Sequence, residues 1–186
     1  GERVALNFVQ RLSGIATLTA AFVGRVNGLN VRICDTRKTT PRLRELEKEA
    51  VRHGGGSNHR FALYVGILIK ENHIIAAGGI VPALMHAREI AAPDVFIQIE
   101  VETLQQLQEA IAAGATMVLL DNFSLVQLRD AVVWTRQHAG QRIILEASGN
   151  MNFETVRQVA ETGVDRISIG GLTKNIQAVD LSMRFV

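Results

Sequence analysis

The sequence predicts an α/β fold in the form of an incomplete (β/α) barrel of about six strand–helix units, preceded by a long helix and followed by an amphipathic tail strand. Short apolar runs alternate with stretches of helical periodicity, joined by brief turns. Several runs, Met117–Leu120 among them, are apolar at consecutive positions, as parallel strands buried on both faces are. Crossovers between parallel strands are almost always right-handed, which curls successive units toward a barrel. With 186 residues the chain falls short of the ~250 of a full eight-unit barrel, so the barrel is expected to be incomplete or open.

Glu2–Val26 reads as the leading helix, with Val4, Phe8, Leu12, Ile15, Phe22 and Val26 at helical spacing and Gly28 as its C-cap. Only Gly1 precedes it and no residue caps it, so the chain reads as starting inside a larger protein. Val31–Pro41 supplies a short strand, then the adjacent cations Arg37 and Lys38. A helix start follows that Thr40 can cap, with Pro41 in its first position. This helix is expected to run to His53, burying Leu43, Leu46, Ala50 and Val51 and presenting Glu45, Lys48 and Glu49 to solvent. Gly54–Gly56 breaks it, and Ser57–Arg60 forms a loop.

The strand Tyr64–Ile69 ends in Lys70, and Pro82 opens a helix ending near Ala92. In Val95–Glu102, Gln98, Glu100 and Glu102 share one strand face, so that face must meet water, cations or a site. Thr103 with Gln106, and Ser124 with Gln127, have capping-box spacing for the next two helices, and Met117–Leu120 between them ends in Asp121-Asn122. Ile143–Leu145 runs into Glu146-Ala147-Ser148-Gly149-Asn150, Asn152 caps a helix closed by Gly163, and Val164–Ile169 leads into Gly170-Gly171. Val179, Leu181, Met183 and Phe185 alternate with Asp180, Ser182 and Arg184, which suits a strand in a sheet outside the barrel. The expected domains are therefore a barrel over 1–177 and a tail over 178–186.

A chain 47% hydrophobic and 20% charged can bury one full core. Its single cysteine, Cys34, excludes an internal disulfide and is expected to be a small buried residue in a reducing compartment. No apolar run reaches the ~20 residues of a membrane span, and the amino end lacks a secretory signal, so the cytoplasm is the expected location. Net charge is only +2 and the cations fall at strand ends and not along one helix face, which points away from nucleic acid and toward small anions.

Barrel curvature would bring the carboxyl ends of the strands to one mouth. Read in order, these ends offer Thr36, Arg37 and Lys38, then Lys70, Glu100 and Glu102, Asp121, Ser148-Gly149-Asn150 and Gly170-Gly171, with His59 and Arg60 added by a loop. Arg37, Lys38, Arg60 and Lys70 suit a ligand with several carboxylates or phosphates. Glu100 and Asp121 can stabilise a developing cation, hold sugar hydroxyls or bind Mg²⁺ with its waters. The glycines permit close backbone approach, as barrel phosphate loops do.

The segments Asp-Thr-Arg37-Lys38-Thr, Gly-Gly-Gly-Ser-Asn-His59-Arg60, Leu-Ile-Lys70-Glu-Asn-His73, Glu100-Val-Glu102, Leu-Leu-Asp121-Asn122, Glu-Ala-Ser148-Gly149-Asn150 and Ile-Gly-Gly-Leu-Thr173-Lys174 together resemble the successive motifs of quinolinate phosphoribosyltransferase (nicotinate-nucleotide pyrophosphorylase, carboxylating). The resemblance covers essentially the whole chain. It implies transfer of phosphoribosyl from phosphoribosyl pyrophosphate to quinolinate with Mg²⁺, giving nicotinate mononucleotide, pyrophosphate and CO₂ in de novo NAD synthesis. By similarity, Arg37, Lys38, His59, Arg60 and Lys70 would line the quinolinate and pyrophosphate sites, with Lys70, Glu100 and Asp121 catalytic. Glu100 and Asp121 would face the ribose and its metal, and the two glycine loops would hold the 5′-phosphate. The resemblance also implies a homodimer or larger homo-oligomer and an amino-terminal α/β domain of roughly a hundred residues, absent here, whose sheet the tail would join. Two other readings remain open at this point: a catalytically silent binding or assembly domain, and a barrel transferase acting on another aromatic acid.

Overall fold

The computed structural model describes residues 1–139 and 143–184. Helix α1 (Glu2–Arg25) leads into β1 (Arg32–Cys34) and α2 (Arg44–His53). Next come β2 (Gly66–Ile69), α3 (Glu71–Ala77), α4 (Ile80–Ile90), β3 (Phe96–Val101) and α5 (Leu104–Ala112). The chain finishes with β4 (Met117–Asp121), α6 (Leu125–His138), β5 (Ile144–Ser148), α7 (Val156–Ala160), β6 (Arg166–Ser168) and α8 (Gly171–Lys174). All six strands are parallel in the order β1-β6-β5-β4-β3-β2, and β1 and β2 do not pair with each other, so the barrel is open between them. Ser57 occupies the free side of β1: its N–H donates to the Ile33 carbonyl at 2.8 Å, and its own carbonyl accepts from the Asp35 N–H at 3.1 Å.

The register divides the sheet into two unlike faces. Ile33, Ile167, Ala147 and Leu120 line up across four strands, as do Ile99, Val118 and Leu145. These residues are all but fully buried, covered by Leu107 and Ala110 of α5, Leu128 and Ala131 of α6, and Val156 of α7. Burying each large aliphatic contributes about 1.5–3 kcal/mol, so this outer layer supplies most of the drive to fold. The other face aligns Leu68 with Gln98, Glu100 with Leu119, Leu119 with Glu146, and Asp121 with Ser148. The inner face thereby sets two leucines among polar and charged groups.

Several boundaries differ from the sequence expectation. Helix α2 starts at Arg44, because Arg42 takes a left-handed conformation (φ 67°) that interrupts any helix from Pro41. Thr40 caps nothing; its hydroxyl accepts from Arg11 and its N–H donates to buried Glu47 at 3.1 Å. Leu46, expected in the core, is 42% exposed, whereas Lys48, expected in solvent, is 1% exposed against Asp35. The partner is the residue that follows β1, 13 positions away, where helical periodicity cannot see it. Residues Leu63–Val65 form a short 3-10 turn, so β2 begins only at Gly66, which packs against the Phe96 ring. An extra helix, α3, follows Lys70 directly, with His73 Nδ1 accepting the Lys70 N–H at 2.9 Å and Gly78 (φ 84°) ending it.

The tail carries no strand over 178–184. It runs along α1, where the Val179 N–H donates to the Gln10 carbonyl at 3.0 Å and the Gln10 side chain donates to the Leu181 carbonyl at 3.0 Å. Phe185 and Val186, included in the expected strand, lie outside the described residues.

Candidate active site

The strand ends and their loops enclose two adjoining cavities on the polar face of the sheet. The smaller, about 260 Å³, is bounded by Arg37, Lys38, Arg60 and Lys70 on one side, with Leu68 and Leu119 as an apolar floor. His59, Glu100 and Glu146 complete it. The larger, about 660 Å³, is bounded by Asp121, Ser148-Gly149-Asn150 and Gly170-Gly171, with Lys174 at its rim. Thr36, Lys38, Ser148 and Ser168 line both, so the two form one continuous site. All but one of the residues expected at the barrel mouth are thus brought together. Glu102 is not; with Glu71 it faces a separate hollow on the far side of Glu100.

Charge density in the smaller cavity is visible in its titrating groups. Burial, helped by the nearby Arg37 charge, lowers the Arg60 pKa, and Arg60 Nη1 donates to the Gly66 carbonyl at 2.8 Å. Burial raises the Glu100 pKa; Lys70, whose Nζ lies 3.4 Å away, opposes that rise, and the negative charge of Asp121 adds to it. Glu100 and Asp121 therefore share one electrostatic neighbourhood, with Lys70 as the counterweight.

Beneath the cavities lies a buried hydrogen-bond chain. The Arg60 N–H donates to His59 Nδ1 at 2.8 Å, which places the ring proton on Nε2, 3.0 Å from Gln98 Oε1. Gln98 Nε2 donates to Glu146 Oε2 at 3.1 Å, and the Ser168 hydroxyl donates to Glu146 Oε1. Burial pushes the Glu146 carboxyl up, but the donors from His59, Ser168 and Gln98 outweigh it and hold the group below its ordinary range. The sequence reading gives Glu146 and Ser168 no role and leaves Gln98 on a strand face that must meet water, cations or a site. A lone carboxylate inside the apolar run Ile-Ile-Leu-Glu146-Ala was the available signal.

The larger cavity is shaped by backbone. Asn122 (φ 57°), Gly149 (φ 96°) and Asn150 (φ 45°) all adopt left-handed conformations at adjoining strand ends. A Cβ on Gly149 would collide with Asn122 Oδ1, so glycine is required there on two counts. A Cβ on Gly170 would press on Lys38 Cδ at 3.1 Å, which shows how closely the Lys38 side chain crosses this loop. The Thr173 hydroxyl secures the same crossing by donating to the Lys38 carbonyl at 2.7 Å. Cys34 is buried and its thiol is raised to about 12, chiefly by burial, so it offers no nucleophile.

Known proteins carry the same architecture. The chain is 50% identical over 183 residues to a probable carboxylating nicotinate-nucleotide pyrophosphorylase of Bacillus subtilis, covering 98% of this chain and 62% of that protein. It is 43% identical to the carboxylating nicotinate-nucleotide pyrophosphorylase of Mycobacterium leprae, covering 98% of this chain and 63% of the relative. The crystal structure of NadC from Streptococcus pyogenes superposes with a TM-score of 0.92 at 43% identity, over 99% of this chain and 63% of that one. The chain thus spans a little over three-fifths of the length of these relatives. A family model for the C-terminal domain of quinolinate phosphoribosyl transferase matches residues 15–184, and with these relatives it shows that the chain belongs to that family.

Proposed function

We propose that the chain forms the catalytic barrel of a carboxylating nicotinate-nucleotide pyrophosphorylase, transferring phosphoribosyl from phosphoribosyl pyrophosphate to quinolinate in de novo NAD synthesis. The observation that carries this reading is the junction of two unlike cavities, one cationic with an apolar floor and one built of backbone, hydroxyls and glycines. A flat pyridine diacid suits the first: Leu68 and Leu119 meet the ring while Arg37, Lys38 and Arg60 take the carboxylates. A sugar phosphate suits the second, with its 5′-phosphate toward Ser148-Gly149-Asn150 and Gly170-Gly171 and Lys38 at the boundary where pyrophosphate would leave.

In this reading the pyridine nitrogen attacks C1 of the ribose as pyrophosphate departs. Glu100 and Asp121 stabilise the oxocarbenium-like charge, and Lys70 offsets them and faces the anionic groups. The pyridinium so formed then accepts the electron pair released as the adjacent carboxylate leaves as CO₂, and protonation of that carbon completes nicotinate mononucleotide. Glu100 and Asp121 would also hold Mg²⁺. Among the described residues no three-ligand cage of His, Cys, Asp or Glu exists, and one or two carboxylates fit an ion that keeps its waters and takes substrate phosphates as ligands. Bound there, Mg²⁺ would neutralise the departing pyrophosphate.

We assign the working enzyme to a homodimer or larger homo-oligomer in the cytoplasm; among the described residues no helix is long and apolar enough to cross a membrane. Calorimetry with quinolinate and with phosphoribosyl pyrophosphate, alongside a CO₂-release assay, tests the reading. Binding of both with turnover is expected. Failure to bind quinolinate, or tighter binding of nicotinate or another aromatic acid, overturns it.

A further inference from the structure

Behind the smaller cavity, on the outer face of the sheet, Asp35 and Lys48 form an ion pair that is 0% and 1% exposed. For folding alone such a pair is poor value, since a well-packed apolar pair often serves as well. This one is costlier still, because Asp35 Oδ2 is buried with no hydrogen-bond partner among the described residues. Its remaining contacts go to a single place. Asp35 Oδ1 accepts the His59 N–H at 2.8 Å, and Lys48 Nζ donates to the His59 carbonyl at 3.0 Å. Both backbone groups of His59 are therefore held by the pair, and the His59 ring in turn holds the Arg60 N–H. Asp35 also immediately precedes Thr36-Arg37-Lys38. One contact thus ties together the end of β1, helix α2 and the 57–60 loop, and so both cation-bearing walls of the cavity.

We infer that Asp35 and Lys48 are positioning residues, a clamp that sets the spacing between Arg37-Lys38 and Arg60 and so the fit to a dicarboxylate ring. The inference rests on the proposed function for the identity of that ligand. The clamp sets the walls that carry Arg37 and Arg60, whereas the glycine loops are shaped by their own left-handed backbone, so its loss affects the diacid far more than a sugar phosphate held at those loops.

The test uses the full chain with Lys48→Met, Asp35→Asn and the double variant, titrated with quinolinate and separately with ribose 5-phosphate, beside thermal unfolding and ¹⁵N NMR of the histidine rings. Lys48→Met is expected to weaken quinolinate about 10- to 100-fold and ribose 5-phosphate much less, since sub-ångström placement governs such sites. The double variant, which leaves no unpaired charge, is expected to regain thermal stability without regaining quinolinate affinity. Recovery of both together, or quinolinate affinity within about twofold of wild type in Lys48→Met, overturns the clamp. If Lys48→Met does not fold, the isosteric Asp35→Asn carries the same comparison. If wild type itself fails to bind quinolinate, the functional reading falls and the clamp is judged by His59. A ring fixed with its proton on Nε2 in wild type and released in the variants supports the clamp; unchanged ring signals refute it.

Discussion

Glu146 is where the account makes its sharpest demand. In the folded chain it accepts from the Ser168 hydroxyl and from Gln98 Nε2, and His59 Nε2 lies 3.4 Å from Oε1. Glu146→Leu removes the acceptor and orphans two buried donors, at about 1–3 kcal/mol each, for a total of about 2–6 kcal/mol. Glu146→Gln is gentler. Its amide oxygen can still accept from Gln98, and the Ser168 hydroxyl can rotate to accept from the new amide. What is lost is charge assistance, about 1–2 kcal/mol. The pH dependence has a definite sign. Because the folded pKa lies below the ordinary 4.5, the carboxylate's contribution is fully present above about pH 4.5 and disappears as pH falls toward the folded value. The gap in stability between wild type and Glu146→Gln should therefore be constant near neutrality and shrink on acidification below 4.5. Urea unfolding at a series of pH values measures both quantities. A gap independent of pH, or a Leu variant no less stable than the Gln variant, would refute the reasoning.

Other consequences are equally open to test. Lys70→Ala, in a protein that turns over, should cut the rate by about 10²–10³. The same change should leave urea stability within about 1 kcal/mol, because Lys70 is 53% exposed and its pairing with Glu100 is largely solvated; unchanged turnover would dismiss it from the site. Gly149→Ala should cost about 1–3 kcal/mol from its left-handed backbone and the clash with Asn122, and should weaken phosphoribosyl pyrophosphate more than quinolinate. Equal weakening of both ligands would mean the glycine loops do not read the phosphate. Asp121→Asn should raise the Mg²⁺ concentration at half-maximal activity about 10-fold, and an unmoved midpoint would remove Asp121 from the metal's surroundings.

The sheet and the site were legible in the sequence to different depths. Parallel strands show as unbroken apolar runs where both faces are covered, which places Met117–Leu120, whereas Val95–Glu102 is placed by the alternation of its two faces, and the ends of both read off as ligands. The inner-face network was not legible, because it depends on register. Nothing local says that Leu119 will stand between Glu100 and Glu146, or that Gln98 will meet a carboxylate 48 positions away. Lys48 was misread for a related reason: amphipathic periodicity assigns a helical lysine to water unless a partner in another element claims it. The helix start was lost at Arg42, where a positive φ in a non-glycine residue leaves no mark in composition.

The central claim, that a diacid ring and a sugar phosphate meet across one divided cavity, is tested most directly by a crystal structure of the chain soaked with quinolinate and phosphoribosyl pyrophosphate. The account predicts the ring over Leu68 and Leu119 with its carboxylates toward Arg37, Lys38 and Arg60, its nitrogen facing the sugar, and the 5′-phosphate against Gly149 and Gly170. Quinolinate bound at the glycine loops, or the two ligands in separate sites, would contradict it.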